Sequence, residues 1–420
     1  MMQSRRTFLK HSAALTSMMF SLDSLGQGPA SILLRSSWQV ENIGDIGHTP
    51  GVITLLERYY PQVEVRLWPV DIGKGVDDML TKRFPKLKII TADADVKKAF
   101  EECAFMLHGS GPSLVRGKDL AAWSQQTGKP YGIYGITFPG VYGFPDDRWK
   151  FKEDDVSIIT NAKFALFRDS VSLEFAKSKG ARSPIMEFCP DGAFAVDLKD
   201  DAKAMAFLKE HDLKDGQFVC VIPQLRFTPW WELPRKNQQV NPAKQARNDG
   251  MKEHDNAPVR EAIIAVVRQT KHKVLIVPEN ETQMKIGKEM LYDPLPDDVK
   301  QKVILRAEYW LTDEAISTYI RSAGLFGIEM HSPIMCIGNG IPAIVCRFEE
   351  QTSKGAMWRD IGLGEWLIDL DKQKDIDRLV PTVLDMLNNT KKTKASVSKA
   401  MAFVQKRQKE TMQLMQGYLS

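Results

Sequence analysis

The chain has 420 residues, of which 43% are hydrophobic and 26% charged, and its formal net charge is +4. That length is long for one domain and makes two α/β domains the default for a soluble globular protein of ordinary composition. So small a charge on so long a chain argues against nucleic acid or an anionic membrane surface as the main partner.

Near the N-terminus, Ser4-Arg5-Arg6-Thr7-Phe8-Leu9-Lys10 matches the twin-arginine export signal. Residues 13–22 are apolar but diluted by serine and threonine, too short and too polar for a stable transmembrane segment. Residues 1–30 are therefore expected to be a signal peptide read by the twin-arginine translocase, and the protein to be periplasmic or held in the cell envelope.

Residues 31–205 read as a first Rossmann-like domain. Ile32-Leu33-Leu34-Arg35 is a short strand, a loop over residues 36–51 carries Gly44, Gly47 and Gly51, and a helix is expected over about residues 51–60. Strand, glycine-bearing loop and helix in that order deliver backbone N–H groups to an anion, although the spacing is not that of a dinucleotide fingerprint. Further strands are expected at residues 63–67, 86–90, 105–107, 129–136 and 164–167, alternating with helices as a parallel sheet requires. One of them runs into a second glycine-rich turn, His108-Gly109-Ser110-Gly111, and Asp169 or Ser170 is placed to cap the helix that runs to Lys179.

A charged helical passage leads into a second Rossmann-like domain, residues 206–390. Its first strand is the apolar run Phe218-Val219-Cys220-Val221-Ile222-Pro223. Residues 232–256 are polar and without hydrophobic periodicity, which predicts a long loop. Trp230 and Trp231, just before it, suit either a sugar-stacking platform or plain anchoring of that loop. A helix over residues 259–269 and a strand ending at Glu279 follow, then a strand at residues 303–305 and a helix from Thr312.

The stretch that organises the chain comes next. Residues 325–328 read as a buried strand that leads into Glu329-Met330-His331-Ser332-Pro333, with Ser332 as N-cap and Pro333 at the first helical position. Gly338-Asn339-Gly340 stops that helix, and residues 341–346 are the next strand. Glu329 and His331 thus stand at the carboxyl end of a strand beside a helix N-terminus, where open α/β sheets collect ligands and anions are favoured. Residues 391–420 form a last helix with Val397, Met401, Val404, Met412, Met415 and Leu419 on one packing face. Cys103, Cys189, Cys220, Cys336 and Cys346 lie mostly in apolar runs, with no Cys-x-x-Cys or Cys/His cluster, so structural thiols and no metal are expected.

Taken together, these landmarks resemble the polysaccharide pyruvyl transferase family. Asn42-Ile43-Gly44-Asp45 resembles its N-terminal Gly-Asp loop, and His108-Gly109-Ser110-Gly111 its run of glycines. Phe167-Arg168-Asp169-Ser170 resembles its Val-Arg-Asp-x-x-Ser segment, Pro190-Asp191-Gly192-Ala193-Phe194 its Asp-Pro-Ala-Phe, and the stretch at His331 its Arg-x-His segment followed by a short helix. The resemblance implies a glycosyltransferase-B-like pair of Rossmann domains facing a cleft. It also implies transfer of the enolpyruvyl unit of phosphoenolpyruvate to a sugar diol as a cyclic ketal, with no further cofactor. One departure is Glu329, which stands where the family has an arginine, and a charged carboxylate there would repel an anionic donor.

For that chemistry the candidate catalytic residues are His331, Asp45 and Glu329. Asn42, Gly44, His48, His108, Ser110, Arg226, Glu279, Ser332 and Lys354 are the candidates for binding the donor and a polysaccharide or other sugar acceptor. Two alternatives accompany the transferase reading: an exported carbohydrate-binding or catalytically diverged member, and a glycan-acting enzyme that uses Glu329 and His331 without phosphoenolpyruvate.

Overall fold

Ser31 to Arg35 has no outward polar face, and such a run is stable only as a strand covered on both sides. The computed structural model, which describes residues 30–138, 140 and 152–419, places it inside a fully parallel sheet. The twin-arginine stretch lies outside the described residues. The first sheet contains β1 (Ser31–Arg35), β2 (Glu64–Trp68), β3 (Lys88–Ile89), β4 (Phe105–His108), β5 (Tyr131–Ile136), β6 (Ala165–Phe167) and β7 (Met186–Phe188). Its order is β3-β2-β1-β4-β5-β6-β7.

The second sheet repeats the plan with β8 (Phe218–Ile222), β9 (Lys273–Ile276), β10 (Val303–Leu305), β11 (Gly324–Gly327), β12 (Ala343–Arg347) and β13 (Leu367–Asp369). Its order, β10-β9-β8-β11-β12-β13, reverses between β8 and β11, as the first sheet reverses between β1 and β4. Ligands of open α/β sheets bind outside the carboxyl ends of strands at such reversals. The reversal in the second sheet is what sets Gln224, just after β8, beside Glu329, just after β11.

The two sheets are locked together at the start of the first long helix. Ile43 N–H donates to Glu279 O at 2.9 Å, Glu281 N–H to Glu41 O at 3.1 Å, and Thr312 Oγ1 to Ile43 O at 2.9 Å. The helix Thr390–Met412 returns from the second domain to the first, where Tyr60 OH donates to Met412 O at 2.6 Å. Val397, Val404, Met412, Met415 and Leu419 of the expected stripe are buried in the main core, with Met401 partly buried against it. All five cysteines are buried free thiols. No helix among the described residues is long and apolar enough to cross a membrane.

Three local expectations need correction. The first long helix spans Ile43–Tyr59, so most of the expected loop over residues 36–51 is helix. It starts early because Asn42 caps it, and Pro50 sits inside it without ending it. The polar stretch 232–256 is not one long loop, because a helix of 28 residues, Pro242–Gln269, begins within it, with Asn241 as N-cap and proline at the first position. Its polar residues hide the usual periodicity because several are buried to hold backbone: Asn248 bonds both Phe227 N and Phe227 O, and Asn256 donates to Gln224 O at 3.0 Å. Finally, Ser332 does not cap the helix His331–Gly338 with its own side chain. Glu279 accepts the Ser332 N–H at 2.6 Å instead, leaving the Ser332 hydroxyl to pair with Tyr319 OH at 3.2 Å.

Candidate active site

The first-domain wall is built on the cap of the helix Ile43–Tyr59. Asn42 Oδ1 accepts the N–H groups of Gly44 and Asp45 at 2.9 and 3.1 Å, which turns the chain into the helix beside the second domain. Only glycine fits at position 44, since a Cβ there would stand 2.4 Å from His331 Cβ and 2.5 Å from Glu279 Oε1. One turn further on, His48 Nδ1 lies 2.8 Å from Asp191 Oδ1, and the other oxygen of Asp191 accepts Arg168 Nη1 at 2.7 Å. Ser110 Oγ and Ala193 N–H also donate to Asp191 Oδ1, at 3.0 and 2.9 Å. Burial alone would raise the Asp191 carboxyl, but the charges of His48 and Arg168 outweigh it and hold the group far below the carboxylate range. Arg168 is fully buried, with Nε donating to Thr137 Oγ1 at 2.7 Å, and its Nη2 has no partner among the described residues.

The second-domain wall starts at Gly327, whose φ of +149° and lack of a Cβ, which would collide with Ile222 O, let β11 end tight against β8. Beyond it, Glu279 accepts Ser332 N–H with one oxygen and faces His331 Nδ1 at 3.1 Å with the other. Burial pushes the His331 imidazole well below its usual range, and the charges of His48, Lys354 and Arg168 push the same way, so the ring is neutral. With Nδ1–H donated to Glu279, the bare Nε2 is an acceptor, and it is buried without a partner among the described residues. The His48 and His331 rings meet edge to face, 4.6 Å between centroids.

Glu329 sits behind His331, 5% exposed, with Gln224 Nε2 and Gln283 Nε2 both donating to its Oε1. Burial, followed by the neighbouring Glu279, pushes its carboxyl up to about 8. Glu279 is itself raised by burial, but it receives the Ser332 N–H and the His331 ring, so it is the member of the pair that carries charge while Glu329 keeps the proton. A carboxyl raised in this way repels an anionic donor less than an ordinary glutamate would.

Between the walls lies a cleft of 180 Å³, lined among others by Asn42, Asp45, Arg168, Arg226, His331 and Lys354. Of the other residues singled out from the sequence, Gly44, His48, Ser110, Glu279, Glu329 and Ser332 form the layer behind this lining. His108 stands apart. Its Nδ1 bonds Gly109 O at 2.8 Å, and burial pushes the ring down to about 4. Arg226 lines the cleft but offers no free charge: Nε and Nη2 donate to Asp255 at 2.8 and 2.9 Å, Nη1 to Glu350 at 2.9 Å, and Nη2 also to Asp371 at 2.6 Å. Trp230 is buried in the lining beneath Lys236, whereas Trp231 is not part of it. Thr352, also on the lining, has φ 65° and ψ −159°, a region that a β-branched residue occupies only under constraint, at a cost of about 1–3 kcal/mol.

Several residues that matter here drew no role from the sequence. Arg168 and Asp191 lie within noted motifs, and the available signal was a charge set in apolar surroundings, which must be paired when buried. Asp255 was hidden inside the polar stretch 232–256, and nothing local marked it.

Asp45, His48 and His331 bring their ligand atoms within 4.8 Å of one another, a spacing that can hold a metal ion. Arg168 Nη1, 3.4 Å from His48 Nε2, sets a fixed positive charge where that ligand points. With Lys354 on the same lining, the corner suits an anion better than a cation.

The family model for polysaccharide pyruvyl transferase matches residues 42–348. No curated protein matches the chain in sequence. Among solved structures, the chain is similar to UDP-GlcNAc 2-epimerase from Neisseria meningitidis bound to UDP-GlcNAc, at 9% identity over 92% of this chain and 100% of that one, with a TM-score of 0.55. It is similar to Anabaena Alr3699/HepE in complex with UDP-glucose, at 11% identity over 92% and 98% of the two chains and a TM-score of 0.54. S. aureus MnaA with UDP gives 11% identity, 88% and 91% coverage and a TM-score of 0.53. At such identities the likeness is one of fold, two facing Rossmann-like domains of glycosyltransferase-B type followed by C-terminal helices.

Proposed function

Because this chain belongs to the polysaccharide pyruvyl transferase family, we propose that it transfers a pyruvyl group from phosphoenolpyruvate to a sugar of a cell-envelope polysaccharide. One observation carries this reading. Among the described residues, Arg168 Nη2 and His331 Nε2 are buried without partners at the corner of the cleft where Lys354 also stands. An unpaired buried guanidinium N–H is costly unless a ligand completes it, and a donor with a carboxylate and a phosphate supplies the acceptor that Arg168 lacks, while a sugar hydroxyl supplies the O–H that His331 Nε2 lacks.

In the reaction, a proton is added to the methylene carbon of the donor and one sugar hydroxyl bonds to the adjacent carbon. A second hydroxyl then displaces phosphate from that carbon, leaving a cyclic ketal and free phosphate. Two hydroxyl protons are lost, one balancing the methylene proton and one leaving with phosphate or solvent. His331 Nε2 is the base for the attacking hydroxyl, and Glu279 at Nδ1 stabilises the imidazolium that forms. Glu329 holds its proton behind Glu279, and Asp45 at the helix start orients the sugar diol. Arg168 and Lys354 hold the donor's anionic groups, the role the family's arginine would have at position 329.

The twin-arginine stretch directs the protein to the cell envelope, where such an acceptor is found. Cell fractionation of the Arg5→Lys, Arg6→Lys variant tests this part: retention in the cytoplasm supports it, and unchanged envelope localisation contradicts it. The transfer itself is tested by incubating the purified protein with phosphoenolpyruvate and a panel of glycans, following phosphate release and the ketal by mass. Both products are expected together, and the absence of both across the panel removes the transferase reading.

A further inference from the structure

The positive charge of the chain is gathered on one element. The helix Thr390–Met412 has seven lysine or arginine residues and one glutamate, a net +6 where the whole chain carries +4, so the remainder is slightly acidic. Lys391, Ala395, Ser398, Ala402, Lys406 and Lys409 follow one another at steps of three or four residues and therefore share a face, with Lys394 and Lys399 flanking it. All of these residues are exposed. At about 1.5 Å per residue the row from Lys391 to Lys409 is about 27 Å long, and the small side chains in its middle leave the approach open.

Much of this charge is unspent. Lys392 pairs with Asp385 at 2.9 Å, Arg407 with Glu187 and Glu410 at 2.8 and 2.6 Å, and Lys406 lies 3.9 Å from Glu410. Lys391, Lys394, Lys399 and Lys409 have no ion-pair partner among the described residues. Lys391 with Lys394, and Lys406 with Lys409, are like charges three residues apart, which weakens a helix unless an anionic partner lies over them.

The shape of the row narrows the partner. Val397, Ala400, Val404 and Met412, on the other side of the helix, are buried in the core, and Phe403 is stacked on Phe188. No broad apolar face is left to enter a bilayer, as an interfacial helix requires. A compact anion can meet only one or two charges spread over such a length, whereas a linear polyanion meets them in succession. The row also lies outside the cleft: Tyr60, which bonds Met412 O, ends the helix Ile43–Tyr59, whose start at Asn42 lines the cleft, and that helix is about 25 Å long.

We infer that the exposed lysine row of the helix Thr390–Met412 is a docking surface for a linear anionic polysaccharide, one that bears carboxylates along its length. A polymer held there raises the local concentration of its other sugars at the protein. That the polymer held is also the acceptor rests on the transferase proposal, but docking is measured without donor.

The test follows the fluorescence anisotropy of labelled polygalacturonate and of labelled dextran as the purified full chain is added. Polygalacturonate is expected to bind, with affinity falling about tenfold or more between about 50 and about 200 mM salt, and neutral dextran is not. Replacing Lys391, Lys394, Lys399 and Lys409 together by glutamine is expected to weaken binding about tenfold or more. A variant of equal net charge, with glutamine at Lys86, Lys97, Lys118 and Lys271, which are exposed elsewhere, should bind within about twofold of the parent. No binding of polygalacturonate, dextran bound as well, or equal weakening in the two variants would each overturn the inference. So would tighter binding of duplex DNA, or of vesicles of phosphatidylglycerol and phosphatidylcholine in equal parts. If the fourfold variant does not fold, Lys391→Gln with Lys394→Gln and Lys399→Gln with Lys409→Gln are tested as pairs, each expected to weaken binding by roughly threefold. Polygalacturonate bound by a protein that releases no phosphate from phosphoenolpyruvate would keep the docking surface and remove the transferase proposal, so the two fail separately.

Discussion

Two buried arginines line one cleft and are held in opposite ways. Arg226 is surrounded by Asp255, Glu350 and Asp371 and lies over the Phe348 ring, so its charge is used up inside the protein. Burial alone would lower the Arg226 guanidinium, yet its acidic partners hold it above its usual range. Among the described residues Arg168 meets one carboxylate, Asp191, shares its Nη1 with His48, and keeps Nη2 unpartnered. The difference teaches how to separate an arginine that holds a loop from one that waits for a ligand: the number of carboxylates matters less than the N–H groups left over. Arg226 fastens the segment after β8 to the helix Pro242–Gln269 and to residues 350 and 371, whereas Arg168 keeps a donor for the cleft.

The comparison can be broken most forcefully at the ligand-facing corner. His331→Ala removes the base without disturbing Arg226, and kcat for pyruvyl transfer is expected to fall by about 10²–10⁴-fold with the melting temperature little changed. A variant with near-normal turnover would move the chemistry elsewhere. At the structural arginine the pattern should invert. Arg226→Met leaves three carboxylates without their shared cation and is expected to cost about 3–5 kcal/mol of stability, measured by urea denaturation, while the KM for phosphoenolpyruvate in the folded protein stays the same. Lys354→Ala should do the reverse, raising that KM by roughly tenfold, the scale of one charge-assisted contact, with stability unaltered.

A smaller effect sharpens the account of Glu329. Its carboxyl is raised in the folded state, to about 8, so its contribution to stability is present in full below the unfolded carboxyl pKa of about 4.3 and is lost as pH rises through 8. Glu329→Gln, which mimics the protonated acid, is expected to flatten this dependence: equal melting temperatures under acidic conditions, and a higher one for the variant above about pH 8. Parallel melting curves across the range would mean that folding does not raise the Glu329 carboxyl. The smallest expected change is at Thr352, where Thr352→Gly relieves a positive φ worth about 1–3 kcal/mol but adds glycine's freedom to the unfolded chain, for a net gain of about 1 kcal/mol or less.

Much of the scaffold was legible. The apolar strands of both sheets stand close to where period and turn residues put them, because a parallel sheet covered on both faces needs continuous hydrophobic runs. The corner at Gly327 to His331 was legible for the same reason, a buried strand followed by a helix signal. What stayed hidden depends on contacts remote in sequence. Ser332 looked like an N-cap, but Glu279, 53 residues away, took that role, and nothing local announces a cap supplied from another loop. The helix Pro242–Gln269 was masked because Asn248, Asp255 and Asn256 are buried for hydrogen bonding, which erases hydrophobic periodicity. Glu329 read as a repelling charge because its two amide donors and the carboxyl of Glu279 converge on it only in the folded chain.

The central claim is that Arg168 and Lys354 form an anion corner for the donor beside His331. Calorimetric titration of phosphoenolpyruvate into the purified protein, into Arg168→Lys and into Lys354→Ala tests it most directly. Saturable binding at one site is predicted, weakened about tenfold or more in each variant because a lysine cannot reproduce the guanidinium fork and an alanine carries no charge. No heat beyond dilution with the unaltered protein, or the same affinity in all three proteins, would contradict it.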